Sequence, residues 1–265
     1  MKRFCVVSTA IGVMLVTAMI SAQAPGGGAP QGRGGGGAAP QLPEPKNLKF
    51  FPKEMTAQQI IPIMANFNAA LGVNCGYCHV FDGPPATNPK NDFASDEKPT
   101  KAKARVMLGM ARDVNMKLGA ELGKPAAEIT QVQCITCHRG VAIPKQLVAV
   151  MMDTASKEGV AKALQQYQDL RKQYYGTQAY DFSDTTLFTA AQQSLAAMKP
   201  DDAIAFAQLN LAFNANSARS YQVLSQAYQR KGDKTPAIQS LERAVELDPM
   251  NQGFKNQLQQ LKSGA

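Results

Sequence analysis

Both histidines of this 265-residue chain, His79 and His138, end copies of one pentapeptide: Cys75-Gly-Tyr-Cys78-His79 and Cys134-Ile-Thr-Cys137-His138. The copies also use every cysteine except Cys5. Cys-x-x-Cys-His is the attachment signature of c-type haem: two thiols add across the porphyrin vinyl groups, and the adjacent imidazole ligates iron from one face. Two copies predict two covalently bound c-type haems. With no third histidine, neither iron can take a second imidazole from this chain. The fold must leave the opposite face to methionine, a weaker ligand, water or nothing.

The chain opens with Lys2 and Arg3, runs apolar from Phe4 to Ile20, and reaches the small residues Ser21, Ala22 and Ala24. Residues 1–22 therefore read as a secretory signal peptide cleaved after Ala22. The alternative is an uncleaved inner-membrane anchor, because the apolar run falls only a little short of a membrane span. Either reading places the rest of the chain outside the cytoplasm, in the periplasm. Cys5 precedes the apolar run, too early for a lipoprotein cysteine, and belongs to the signal. The formal net charge of +8 loses two units with Lys2 and Arg3. An excess of that size describes a solvated surface with some attraction for acidic partners. Without Lys/Arg runs interleaved with aromatics, nucleic-acid binding is excluded.

Residues 23–48 form a Gly/Pro-rich linker, with Gly26 to Gly28 and Gly34 to Gly37 as pure runs. Such a segment cannot bury apolar surface to offset its ordering entropy and is expected to be disordered. Residues 49–150 hold both haem motifs. Residues 151–265 contain neither cysteine nor histidine. That shift in composition predicts two domains. Apolar residues recur at three- and four-residue spacing with no sustained strand alternation, so the fold class is all-α.

Ahead of the first motif, Ile60, Ile63, Met64, Phe67 and Leu71 recur at helical spacing. Thr56 and Gln59 form a candidate capping box, Pro62 a candidate kink, and Gly72 a C-terminal stop. A helix reversing at Gly72 can return along one haem face while the Cys-His turn grips the other. Met64, the only methionine in that helix, then points at iron. A thioether opposite imidazole favours ferrous iron and raises the reduction potential relative to bis-imidazole ligation. Ahead of the second motif, Thr100 is a candidate N-cap for a helix through Val106, Met107, Met110, Val114 and Leu118, interrupted at Gly119, Gly123 and Pro125. A short helix from Pro125 to about Gln131 leads into Cys134. Met107 and Met110 share a face, and spacing does not choose between them.

The runs Asn91-Asp-Phe93-Ala94-Ser95-Asp96-Glu97-Lys98, Arg105-Val-Met107-Leu108 and Cys134-Ile-Thr-Cys137-His138-Arg139-Gly140 resemble the cytochrome c subunit bound to photosynthetic reaction centres. The resemblance covers roughly residues 50 to 145. In that family a helix parallel to each haem precedes it, usually supplying methionine as sixth ligand, and the Arg-x-Met-Leu match implies Met107 at the second iron. Photosynthetic members carry four haems in two internally related pairs. This chain is similar to one half of that subunit, with a longer loop before Cys134. The resemblance implies redox protein partners, including a membrane-bound electron-transfer complex, photosynthetic or respiratory. Arg105 and Arg139 are candidates to pair with haem propionates, since guanidinium matches carboxylate geometry; a solvated role is the alternative for each.

Two Cys-x-x-Cys pairs also suit a structural zinc site, but the interval from Cys78 to Cys134 is far longer than zinc spacing, and both motifs carry the trailing histidine. A thioredoxin-like role needs a βαβ context that is absent from the pattern.

Towards the C-terminus, Tyr221, Leu224, Ser225, Tyr228, Gly232, Ala237, Leu241, Ala244 and Pro249 follow the tetratricopeptide pattern. The small residues let two antiparallel helices approach, and the large ones fill the space between them. A shift of 34 residues sets Ala203-Ile204 under Ala237-Ile238, predicting an earlier, degenerate repeat over about 184–217. A helix with Val160, Ala163, Leu164, Tyr167, Leu170 and Tyr174 on one face stacks in front. Such arrays bury a core between neighbours and present a surface to a partner; capping the haem domain or self-association are the alternatives.

The expectation is an exported dihaem c-type cytochrome passing single electrons between redox proteins, with the repeats as docking element. His79 and His138 are the proximal ligands, Met64 and Met107 the distal ones. The enzyme-class alternative is a dihaem peroxidase-like oxidoreductase with one open iron, although no distal histidine remains for acid–base work. The interaction-class alternative makes the repeats the functional part and the haems structural staples.

Overall fold

The structure is a computed structural model that describes residues 44–263. The expected signal peptide, Cys5 and the linker up to residue 43 lie outside the described residues. Helix α1 spans Ala57–Leu71, α2 Pro99–Leu122, α3 Cys134–His138, α4 Leu147–Glu158 and α5 Val160–Tyr174. Then follow α6 Asp184–Ala196, α7 Pro200–Phe213, α8 Ala218–Lys231, α9 Lys234–Leu247 and α10 Gln252–Ser263. Short 3-10 turns occupy Cys75–Tyr77 and Ala126–Glu128. Among the described residues there is no strand, only an isolated bridge between Val80 and Asp92. The all-α expectation holds.

Helix α1 starts as its capping box predicts: the Thr56 amide donates to Gln59 Oε1 at 2.9 Å. Pro62 sits inside the helix without ending it. The carbonyl it deprives of a partner is that of Gln58, which is exposed like Pro62, so solvent can satisfy it. Gly72 stops the helix with φ +64°, the left-handed conformation that costs glycine nothing.

Helix α2 departs from expectation at both ends. It begins two residues earlier, with Lys98 rather than Thr100 as N-cap and Pro99 in the first turn. Proline suits that position because its missing N–H would be unsatisfied there anyway. Gly119 does not interrupt it; the helix runs on to Leu122 and stops at Gly123, φ +60°. Gly119 is small for a different reason. A Cβ there would meet the Lys124 carbonyl oxygen at 3.2 Å, so the returning chain passes close. The expected helix from Pro125 is only the turn Ala126–Glu128.

From α4 onward the helices form hairpins stacked side by side. Leu147, Met151, Ala163, Tyr167, Leu187, Phe206, Val223 and Leu224 belong to one continuous buried core. Helix α4 crosses residue 150 and carries Leu147 and Met151 into that core. The predicted small residues Ser225, Ala237 and Ala244 are fully buried, and Leu241 packs on Phe254 of α10 in a second, smaller cluster. The earlier repeat is the hairpin of α6 and α7. Its Asp184 is held by Arg219 at the start of α8, with Arg219 Nε donating to Oδ2 at 3.0 Å.

Candidate functional site

Around the first motif, the tight turn of Cys75–Tyr77 is closed by the His79 amide donating to the Cys75 carbonyl at 3.0 Å. The turn brings the imidazole against the loop before α2. His79 Nδ1 lies 3.0 Å from the Phe93 carbonyl oxygen, and the Phe93 ring stands edge-on to the imidazole at 5.4 Å. A carbonyl only accepts, so Nδ1 carries the proton and Nε2 is left as the free donor atom. Pinning one ring nitrogen to orient the other is how metal-binding histidines are commonly held. Burial, then the nearby Lys101 ammonium, pushes the His79 pKa below its ordinary value, against the opposing Phe93 bond. The neutral imidazole that ligation needs is therefore the favoured form.

The N-terminus of α2 grips the same turn. Lys98 Nζ donates to the Gly76 carbonyl and the Thr100 hydroxyl to the Tyr77 carbonyl. Thr100, read from sequence as a helix cap, instead fastens the motif. One turn on, Lys101 is buried at 9% exposure, and its ammonium donates to the carbonyls of Phe93, Ala94 and Ser95 at 2.8, 2.9 and 2.7 Å. Asp96 collects the surrounding cations: Lys49 at 2.6 Å, Arg105 at 2.8 Å and Lys101 at 3.3 Å. Lys49 and Asn47 above all hold its carboxyl well below the usual carboxylate range. Arg105 thus spends its Nη1 on Asp96 and its Nη2 on the Asn47 carbonyl.

The second motif forms α3, closed at its start by the Gln133 amide donating to Thr136 Oγ1 at 3.0 Å. The helix ends at Arg139 with φ +51°, which turns the chain so that the Val141 carbonyl faces His138 Nδ1 at 3.0 Å. Both imidazoles are oriented by a backbone carbonyl, from a distant loop in one case and from three residues on in the other. Arg139 is exposed. Asn115 of α2 ties the lead-in segment down from both sides of a peptide pair: Nδ2 donates to the Val132 carbonyl at 2.9 Å, and Oδ1 accepts the Val132 amide at 2.7 Å.

The two motifs also meet each other. The Gly140 amide donates to the Ala70 carbonyl at 2.9 Å, so the end of α1 rests on the chain leaving α3. Gly72 lies so close that a Cβ on it would fall 2.0 Å from the Gly140 oxygen. Gly72 precedes Cys75 by three residues, and Gly140 follows His138 by two.

Met64 is half-buried on α1. Met107 and Met110 on α2 are 45% and 51% exposed, and Met110 lines an open groove with Val106, Gly109, Asp113, Val114 and Lys117. Unlike the repeats, residues 44–145 bury almost no apolar side chain; only Ala57, Ala70 and Val141 are hidden. Ile61, Tyr77, Val106, Val114 and Ile135 stand exposed around the motifs. Apolar surface of this kind needs a large apolar group to cover it, and a porphyrin is such a group. The four described cysteines are free of disulfides. Burial raises the thiol pKa of Cys78 and of Cys134, keeping both protonated. Among the described residues no three of His, Cys, Asp and Glu gather as a bare metal ion would require. The donor set, two cysteines with an adjacent histidine at each motif, fits covalent haem.

Sequence reasoning named every residue of the pentapeptides but missed the supports. Lys101 and Asn115 are isolated polar residues on a helix, where only a distant loop gives them meaning. A weak signal for Lys101 was its place between Lys98 and Arg105, close after Asp96.

Residues 82–226 match the family described as photosynthetic reaction centre cytochrome C subunit, and residues 218–251 match the tetratricopeptide repeat. The first match begins later than the resemblance read from sequence and ends later: it starts after Cys75–His79, covers the second motif, and extends into α8. The chain is 42% identical over 85 residues to cytochrome c-554 of Chloroflexus aurantiacus, covering 32% of this chain and 18% of that protein. It is 33% identical over 98 residues to the photosynthetic reaction center cytochrome c subunit of Rubrivivax gelatinosus, covering 33% of this chain and 24% of that one. The chain thus spans a quarter or less of the length of these relatives.

Proposed function

Because the chain belongs to the photosynthetic reaction centre cytochrome c subunit family, whose members carry covalently bound haem, we propose that it is an exported dihaem c-type cytochrome of the periplasm. It passes single electrons between redox proteins. The observation that carries this reading is the pairing of two attachment motifs in which each histidine has its Nδ1 engaged by a backbone carbonyl, leaving Nε2 for iron. When bound, haem supplies the one-electron couple. The residues of this chain supply its place and its electronic surroundings.

Cys75 and Cys78 anchor the first group and Cys134 and Cys137 the second. Met64 on α1 and Met107 on α2 are assigned as the distal ligands, each on a helix that precedes its motif. The contact of Gly72 with Gly140 supports a close pair, since three residues and two residues span at most about 11 Å and 7 Å of extended chain. Closely spaced one-electron sites form a short relay. The repeats of α6 to α9 are assigned to docking, with a membrane-bound electron-transfer complex as the partner class.

The decisive experiment combines a pyridine haemochrome assay with a visible redox titration of the exported protein. Two c-type haems per chain and a near-red methionine–iron band in the ferric form are expected. One haem per chain, or carbon monoxide binding to both ferrous irons without denaturant, overturns the reading.

A further inference from the structure

The two proximal imidazoles are held alike but not equally. The Val141 carbonyl that faces His138 lies at the chain turn after α3, whereas the Phe93 carbonyl that faces His79 also accepts a buried ammonium. Lys101 Nζ is 2.8 Å from that oxygen, and three backbone carbonyls besides a shared carboxylate surround it. Asp96 only partly offsets its charge, because the same carboxylate also serves Lys49 and Arg105. No other function described above uses Lys101.

We propose that Lys101 is a positioning residue for the first haem iron, raising its reduction potential through the carbonyl that it shares with His79. The inference rests on the dihaem reading. Two physical effects act in the same direction. An ammonium on the Phe93 oxygen draws electron density from it, so the oxygen accepts less strongly from Nδ1–H and the imidazole donates less strongly to iron. Hydrogen bonding to a metal-bound histidine raises its basicity, and weakening that bond lowers it again. A positive charge fixed in a half-buried place also disfavours the extra charge of ferric iron. Among the described residues the second site has no such ammonium on its carbonyl, so the two irons become electronically distinct although their ligand sets match.

The test is a redox titration of the full chain with both haems, comparing wild type with K101Q and K101R. The first-site wave is identified as the one lost in the C75A/C78A double variant. K101Q keeps a donor for the carbonyls and removes the charge. It is expected to shift the first wave alone towards ferric by about tenfold in the equilibrium, or about 59 mV for one electron. K101R, which keeps the charge, should leave both waves in place. A first wave unmoved in K101Q, equal shifts of both waves, or an equal shift in K101R overturns the proposal. Should K101Q fail to take up haem, D96N serves instead: with the offsetting carboxylate gone, the first wave alone should move towards ferrous, and a stationary wave overturns the proposal. A wild-type chain showing fewer than two one-electron waves overturns the dihaem reading and this inference with it. Two waves indifferent to Lys101 and Asp96 overturn the inference alone.

Discussion

His79 and Lys101 share one oxygen atom. The Phe93 carbonyl takes Nδ1 of the imidazole at 3.0 Å and Nζ of the lysine at 2.8 Å, joining a haem-attachment turn, a loop and the first turn of α2. The Phe93 ring packs on Phe81 and His79, but the rest of the loop, Ala94 to Asp96, carries no large apolar side chain. What orders it is a buried cation surrounded by carbonyls, an arrangement stable only while each of its donors is matched.

Replacing Met64 or Met107 by leucine keeps volume and removes the sulfur. M64L should let carbon monoxide bind the first ferrous iron, and M107L the second, each with loss of about half the near-red absorbance. M110L in place of M107L producing the second effect would move that ligand by one helical turn.

Gly72 has no room for a side chain. With φ at +64° and a Cβ position 2.0 Å from the Gly140 oxygen, G72A must shift the backbone. The left-handed conformation alone costs a non-glycine residue about 1–3 kcal/mol. Thermal melting should fall accordingly, and spectroscopic coupling between the two irons should weaken.

N115L removes both partners of Val132 and leaves its amide and carbonyl unpaired, at a cost of about 1–3 kcal/mol. Because the clamp sets the lead-in to Cys134, ligand-band changes should be confined to the second site. Equal effects at both sites would contradict this assignment.

Asp96 is ionised in the fold at pH values where a free carboxyl would already be protonating, because Lys49, Asn47, Arg105 and Lys101 stabilise its charge. A depressed folded pKa gives stability that is fully present above the unfolded value, near 3.9, and is lost as pH falls from there through the lower folded value. Wild-type melting temperature should therefore drop more steeply than that of D96N between about pH 5 and pH 2.

Tyr167 is fully buried among Phe182, Phe213 and the α4–α7 core, and its hydroxyl has no hydrogen-bond partner among the described residues. Removing an unsatisfied polar atom is neutral or favourable. Y167F should hold or raise the melting temperature, whereas Y167A should lose about 3–5 kcal/mol through the cavity it leaves.

The helices were largely legible because their information is local. Thr56 with Gln59, Gly72, Gly232 and the apolar stripe of α5 each announce themselves within a few residues. The pentapeptides were legible because haem attachment demands fixed spacing. Gly119 misled because a glycine that ends a helix and a glycine that admits a neighbouring backbone look the same in sequence; only the Lys124 oxygen distinguishes them. Thr100 misled for a related reason: a capping hydroxyl accepts from an amide of its own helix, whereas this one donates to the Tyr77 carbonyl. The supports of both histidines were invisible since their partners are backbone atoms, which every residue has.

Helix α2 holds the first motif through Lys98, Thr100 and Lys101, and the approach to the second through Asn115. At about 1.5 Å per residue, the stretch from Lys101 to Asn115 is about 21 Å long. It acts as a ruler with an angular scale. Adding one residue between those marks would lengthen it only slightly but turn Asn115 by about 100°, away from Val132. Surface residues along α2 are open to substitution, while the count of residues between its two grips is not.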